Sequence, residues 1–314
     1  MTSQINNVEQ NGMMRYLALF LDWSAALNYS HETTNSRNTC IKRFIVWCDA
    51  RGLDRPQDIT ASILERYRRH LHHYRKSNGQ PLSFSTQHSQ LSPIKAFFKW
   101  LNKENHILYN PASEFQLPRV AKHLPKDFLS YEEIEALLQH TQIYGDLGIR
   151  DRAIIETFYS CGIRRMELVN LKLQDLDIKR GTLVIFEGKY KKDRIVPIGD
   201  RAVHWIARYL SDVRPNLIGN DDNGHLFLTN YGAPFIKNRI TDLIKKYLNA
   251  VGVDKPGACQ LFRRSMATHM LENGADIRYI QMMLGHVSLT TTQIYTQVSI
   301  KKLKQVHAIT HPAK

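Results

Sequence analysis

The chain has 314 residues, 43% of them hydrophobic, and a formal net charge of +14, enough for two domains with separate cores and too apolar for a disordered protein. Its four cysteines, Cys40, Cys48, Cys161 and Cys259, are far apart and form no C-x-x-C pair, which argues against a disulfide framework and against a zinc site. No basic-then-apolar leader and no run of about 18 apolar residues occurs, so a cytoplasmic protein without a membrane anchor is expected. The basic excess is even: 16 Lys and Arg face 9 Asp and Glu up to residue 124, and 27 face 20 beyond it. A basic tail would concentrate that charge, whereas an even split suits two lobes that both meet a polyanion such as duplex DNA.

In chain order, residues 1–12 are polar and carry no periodic signal. Helical spacing then recurs in Tyr16, Leu17, Phe20, Leu21 and Trp23, in Ile41, Phe44, Ile45, Trp47 and Cys48, in Ile63, Leu64, Tyr67 and Leu71, and in Leu91, Ile94, Phe97, Phe98 and Leu101. Breaks at Asn28 to Ser30, Gly52 to Pro56, Ser77 to Pro81 and Asn110-Pro111 divide this stretch into four or five helices, an all-α domain over 13–116. Residues 117–127, with Pro118, Pro125, Arg119, Lys122 and Lys126, read as a basic linker. A second domain over 128–314 opens at Ser130, whose spacing to Glu133 fits a capping box and a helix through Leu138. Thr182 to Phe186 and Arg194 to Ile198 are β-rich runs around the basic tip Glu187 to Asp193, a hairpin in an otherwise helical domain. The fold class is therefore mainly α, with two domains and a small β-hairpin or sheet in the second.

The residues able to carry chemistry lie in this second part. Gly162 ends an apolar helix and is followed by Ile163-Arg164-Arg165-Met166-Glu167-Leu168, Lys189 sits in the hairpin tip, and Arg263, Leu284-Gly285-His286 and Tyr295 follow. A tyrosine hydroxyl is a weak nucleophile near neutral pH, so cations must converge with it on one phosphate. Taken singly, Arg164, Lys189 or His286 reads as a solvated or capping side chain and Tyr295 as an ordinary half-buried tyrosine.

In order and spacing they resemble the tyrosine site-specific recombinases, Xer and phage-integrase branch: an arginine after Gly-Ile with x-x-Glu-Leu, a hairpin lysine, a second arginine, a Leu-Gly-His element and a tyrosine nine residues later. The resemblance implies a helical SAM-like core-binding domain, a mixed α+β catalytic domain and a C-shaped clamp on DNA. It implies that Arg164 and Arg263 hold the scissile phosphate, which suits planar bidentate guanidiniums. Lys189 would protonate the departing 5′-oxygen, His286 would hydrogen-bond the phosphate or assist proton movement, and Tyr295 would attack phosphorus to form a 3′-phosphotyrosyl link without ATP, metal or cofactor. It further implies a homodimer on inverted half-sites and a homotetramer, or a heterotetramer with a related recombinase, in synapsis, with accessory proteins as possible partners. The segment after Tyr295, with Leu303, Val306 and Ile309 at three-residue steps, resembles a helix that docks into a neighbouring subunit.

One position departs from that pattern. Gln260 stands three residues before Arg263, where the family has His or Lys, and an amide cannot exchange a proton near neutral pH. His269 is no replacement, because six residues along a helix is about 240° around its axis. The alternatives to a recombinase are a catalytically weakened DNA-binding or architectural protein of the same fold and a type IB topoisomerase-like enzyme.

Glu167 reads either as the partner that holds an arginine or as a helix-surface acid. Arg165, Arg264, Lys191 and Lys192 are candidate DNA-backbone contacts. Arg66 and Arg69, among His70, His72 and His73, read as a basic face for phosphate rather than as a metal site, and Gln87 and His88 as side chains suited to base edges. Asn220 to Gly224 reads as a turn rather than a calcium loop.

Overall fold

The computed structural model describes residues 12–120, 127–186, 193–218 and 222–285. The hairpin tip with Lys189, Lys191 and Lys192, the residues His286 and Tyr295, and the expected C-terminal helix lie outside them. The chain divides into two compact units, Met1–Lys122 and His123–Lys314. No helix among the described residues is long and apolar enough to cross a membrane.

Among the described residues the first unit has four α-helices, α1 Gly12–Ala26, α2 His31–Asp49, α3 Ala61–His73 and α4 Phe84–Lys103, with a 3-10 turn over Pro56–Asp58. Ser30 and Ser83, both extended, start α2 and α4 by accepting the N–H groups of Thr33 and Thr86 at 3.3 and 3.1 Å, which satisfies donors that a helix start otherwise leaves orphaned. The helices close on Leu17, Phe20, Ile41, Phe44, Ile45, Leu91, Ile94, Phe97, Phe98 and Leu101. Pro93 sits inside α4 and offers no N–H to the carbonyl of Ser89 one turn earlier. That carbonyl instead accepts the Cys40 thiol of α2 at 3.8 Å.

The second unit starts with α5 Tyr131–His140 and α6 Gly145–Cys161, followed by the short α7 Arg165–Asn170. The capping box of Ser130 and Glu133 is present, and α5 runs two residues beyond the expected end. β1 Leu176–Asp177, β2 Thr182–Ile185 and β3 Arg194–Pro197 form an antiparallel sheet in the order β1-β2-β3. Both expected strands end one residue early. Sequence reading missed β1 because two residues cannot show a period, and its pairing of Leu176 with Leu183 and Asp177 with Thr182 exists only once the sheet does. Next come α8 Asp200–Arg208, a π turn over Tyr209–Val213, α9 Arg214–Leu217, α10 Lys237–Ala250, α11 Ala258–Glu272 and α12 Ile277–Leu284.

The central helix α6 buries Ala153, Ile154, Ile155, Phe158 and Cys161. Its buried charges are paired, as the cost of desolvation requires. Arg150 holds Asp151 at 2.7 Å, and Asp151 also accepts the Tyr247 hydroxyl of α10 at 2.8 Å.

Gly162 ends α6 with a left-handed φ of 58°, its N–H bonded to the Phe158 carbonyl at 3.0 Å. A Cβ there would lie 2.1 Å from Met266 Cε and 3.2 Å from Leu284 Cδ2, so the turn needs glycine both for its conformation and for the close approach of α11 and α12. Gly162→Ala is expected to destabilise the protein by about 1–2 kcal/mol from backbone strain alone, measurable as a lowered midpoint in thermal or urea unfolding.

Candidate active site

The turn made by Gly162 delivers Arg164 to the start of α7. The Arg164 N–H donates to Glu167 Oε2 at 2.7 Å, its Nη1 donates to Glu167 Oε1 at 2.6 Å, and its Nη2 donates to the Gly285 carbonyl at 3.2 Å. Arg263, on α11 and only 7% exposed, donates from Nη1 to the Gly162 carbonyl at 2.6 Å and from Nη2 to the Leu284 carbonyl at 2.5 Å. The two arginines proposed from sequence therefore meet at consecutive carbonyls at the end of α12, directly before His286. A helix C-terminus carries orphaned carbonyls and partial negative charge, so it orients cations without neutralising them.

A third arginine joins them. Arg194, the first residue of β3, donates from Nη1 and Nη2 to the two oxygens of Glu167 at 3.0 and 2.7 Å and from Nε to the Met283 carbonyl at 2.9 Å. Three guanidiniums thus take the carbonyls of residues 283, 284 and 285 in succession. Sequence reading passed over Arg194, although a signal existed. Arg194, Val196 and Ile198 alternate along one face, Val196 and Ile198 are buried, and a charge on a buried strand face implies a buried partner.

Glu167 is that partner, 8% exposed, which decides for the arginine-holding reading over the surface acid. Burial alone would raise its pKa, but the hydrogen bonds and charge of Arg194, with the N–H and charge of Arg164, outweigh burial and bring it down to about 2.

Gln260 is exposed in the first turn of α11, its N–H bonded to the Gly257 carbonyl at 2.7 Å. His269 points elsewhere, as its helical angle required: it is buried, hydrogen-bonded through Nδ1 to the Tyr159 hydroxyl at 2.8 Å and stacked on Tyr131 at 4.0 Å. Arg165 and Arg264 are half-buried and reach Thr241 Oγ1 at 2.6 Å and the Asp127 carbonyl at 3.3 Å. Arg66 and Arg69 are exposed on α3, and His88 is half-buried on α4. Gln87 corrects the sequence reading. It is 3% exposed and donates its amide to the Leu82 carbonyl at 2.9 Å, so it closes the start of α4 from inside and has no surface for a base edge. Asp222 accepts the N–H of Gly224 at 3.0 Å and pairs with Arg214 at 2.7 Å, the arrangement of a turn. No group of His, Cys, Asp and Glu suited to a metal occurs among the described residues.

Residues 127–302, more than half of the chain, match the phage integrase family. The chain belongs to that family. It is 48% identical over 302 residues to Tyrosine recombinase XerC 2 of Ralstonia nicotianae, covering 96% of this chain and 87% of that one. It is 33% identical over 295 residues to Tyrosine recombinase XerD of Pseudomonas aeruginosa, covering 94% and 95%. Among solved structures, XerA recombinase aligns over 96% of this chain and 100% of its own with 28% identity and a TM-score of 0.53. XerH bound to palindromic difH substrate aligns over 90% and 81% with a TM-score of 0.69, and its 21% identity speaks to fold alone. The protein is thus a Xer-like tyrosine recombinase.

Because the folded pKa of Glu167 lies below its ordinary value, its contribution to stability is complete above about pH 4.5 and is lost as pH falls toward about 2. Glu167→Gln should cost on the order of 3 kcal/mol at neutral pH, and the gap to the unsubstituted protein should narrow across that acid window in urea titrations.

Proposed function

We propose that this tyrosine recombinase carries out site-specific DNA strand exchange, for integration, excision or resolution of a mobile element or replicon, with Tyr295 as nucleophile. The Tyr295 hydroxyl releases its proton, with His286 assisting its movement to solvent, its oxygen bonds to phosphorus, the bond from phosphorus to the 5′-oxygen breaks, and Lys189 supplies the proton that oxygen takes up. Arg164 and Arg263 hold the non-bridging oxygens and offset the charge of the pentavalent transition state, with a hydrogen bond from His286. What supports this most directly is the convergence of Arg164 and Arg263 on the last turn of α12, one and two residues before His286.

In this reading the helices of 13–116 are a core-binding domain, 117–127 the linker and 128–314 the catalytic domain. The partner is double-stranded DNA with inverted half-sites, bound by a homodimer and synapsed by a homotetramer or by a heterotetramer with a related recombinase. Exposed Arg66 and Arg69, with Lys191 and Lys192, supply backbone contacts, and half-buried His88 is left as the side chain suited to a base edge. Arg165 and Arg264, each holding a protein oxygen, brace the turns beside the catalytic arginines.

A second reading, a DNA-binding protein of the same fold with reduced turnover, is favoured by Gln260, whose exposed amide has no titratable proton near neutral pH.

Both readings are tested with a nicked duplex selected from a random-sequence pool by binding to the chain. Tyr295→Phe should keep DNA affinity within about twofold and lose the covalent adduct seen on a denaturing gel, and an undiminished adduct in this variant sinks the mechanism. Gln260→His should raise the cleavage rate by up to ~10²-fold if a proton-transfer group is what the site lacks. An unchanged rate would mean that another group already moves the proton.

A further inference from the structure

We propose that Arg194 is a positioning residue for strand cleavage, which clamps Glu167 to the end of α12 and thereby holds the Arg164 guanidinium in one orientation. The proposal rests on the reading of Arg164 as a phosphate ligand and adds a residue that touches neither DNA nor tyrosine.

The geometry carries it. Glu167 Oε1 accepts from both Arg164 at 2.6 Å and Arg194 at 3.0 Å, so one carboxylate oxygen sets the distance between the two guanidiniums. Arg194 uses a second nitrogen on Oε2 and its Nε on the Met283 carbonyl, three donors in a planar fork that an ammonium cannot reproduce. Its guanidinium also lies against Gly285, where a Cβ would stand 3.0, 3.1 and 3.2 Å from its Cδ, Nε and Cζ. Glycine at 285 thus serves the left-handed cap of α12, with φ 60°, and makes room for this arginine. Arg194 is 11% exposed and Glu167 6% as side chains, so solvent screens their attraction weakly.

Arg194 also pairs with Ile185 as the last rung of the sheet before the hairpin tip, and Lys189 lies five residues earlier in sequence. Its clamp therefore fastens the base of the segment that carries Lys189 to the carboxylate that holds Arg164. The charged groups around Glu167 are Arg164 at the start of α7, Arg194 on β3, and Lys172 and Asp175, which line the same cavity after α7.

The experiment compares the full-length protein with Arg194→Lys, Arg194→Met, Glu167→Gln, the double variant Arg194→Met/Glu167→Gln and Arg164→Ala. Cleavage of the selected nicked duplex is measured from pH 5 to 9, with duplex affinity and thermal midpoint alongside. Arg194→Lys and Arg194→Met should each lose roughly 100-fold in cleavage rate with affinity within about twofold, and lysine should not rescue methionine. The acid limb of the rate should move toward neutral in Arg194→Met, because Glu167 then protonates more readily and releases Arg164. In the Glu167→Gln background Arg194→Met should add less than about threefold.

Normal cleavage by both Arg194 variants, with Arg164→Ala inactive, overturns the proposal and leaves the site reading intact. Normal cleavage by Arg164→Ala overturns the site reading itself. A loss from Arg194→Met that persists undiminished in the Glu167→Gln background, without movement of the acid limb, makes Arg194 a general structural residue and also overturns the proposal. Should Arg194→Met fail to fold, Arg194→Lys decides, since it keeps the charge and removes only the fork.

Discussion

The last turn of α12 presents three successive carbonyls, of Met283, Leu284 and Gly285, and the site forms because three arginines from three other elements satisfy them. Arg263 and Arg194 are largely covered and Arg164 partly so, and covered guanidiniums are costly unless their donors find oxygens. The helix end supplies those oxygens together with the negative pole of its dipole. Arg263 comes from α11, Arg164 from the start of α7 and Arg194 from β3, so one helix terminus fixes the relative placement of elements far apart in sequence. Glu167 completes the arrangement by taking two of the three cations on one carboxylate.

In the proposed role of Arg164 and Arg263 as phosphate ligands that cluster needs a stiff scaffold, because small misplacements of such groups are costly in a transition state. The packing around α6 supplies it. Phe158 stacks on Phe262 of α11 with ring centres 6.2 Å apart, one residue before Arg263. Gly162 lets Met266 and Leu284 press against the turn that leads to Arg164. The apolar core therefore ends where the polar site begins, and the same two helices contribute to both.

Much of this was legible along the chain because local rules govern it. Helical periodicity placed the four helices described in the first unit, with Phe20, Phe44, Phe97 and Phe98 buried as their spacing required, and Ser130 with Glu133 marked the start of α5. Arg164 and Glu167 are one helical turn apart, close enough for their pairing to be a fair expectation. Gln87 shows the limit of the same logic. A polar residue near a helix start reads as solvent-facing, yet whether it faces in or out depends on what covers the helix, and here its amide closes an inner carbonyl.

By itself the sequence determined the element types, the order and spacing of the arginine, glycine and histidine motifs, and the family to which they belong, since each depends on residues within a few turns of one another. Only the tertiary structure decided that Arg194 belongs with Glu167, 27 positions away, and that Arg164 and Arg263 meet at α12, 121 and 21 positions away. The physical reason is that a buried ion pair is chosen by which charges the packed core brings out of water together. That choice is made after the helices and sheet have docked and leaves no periodic mark on the chain.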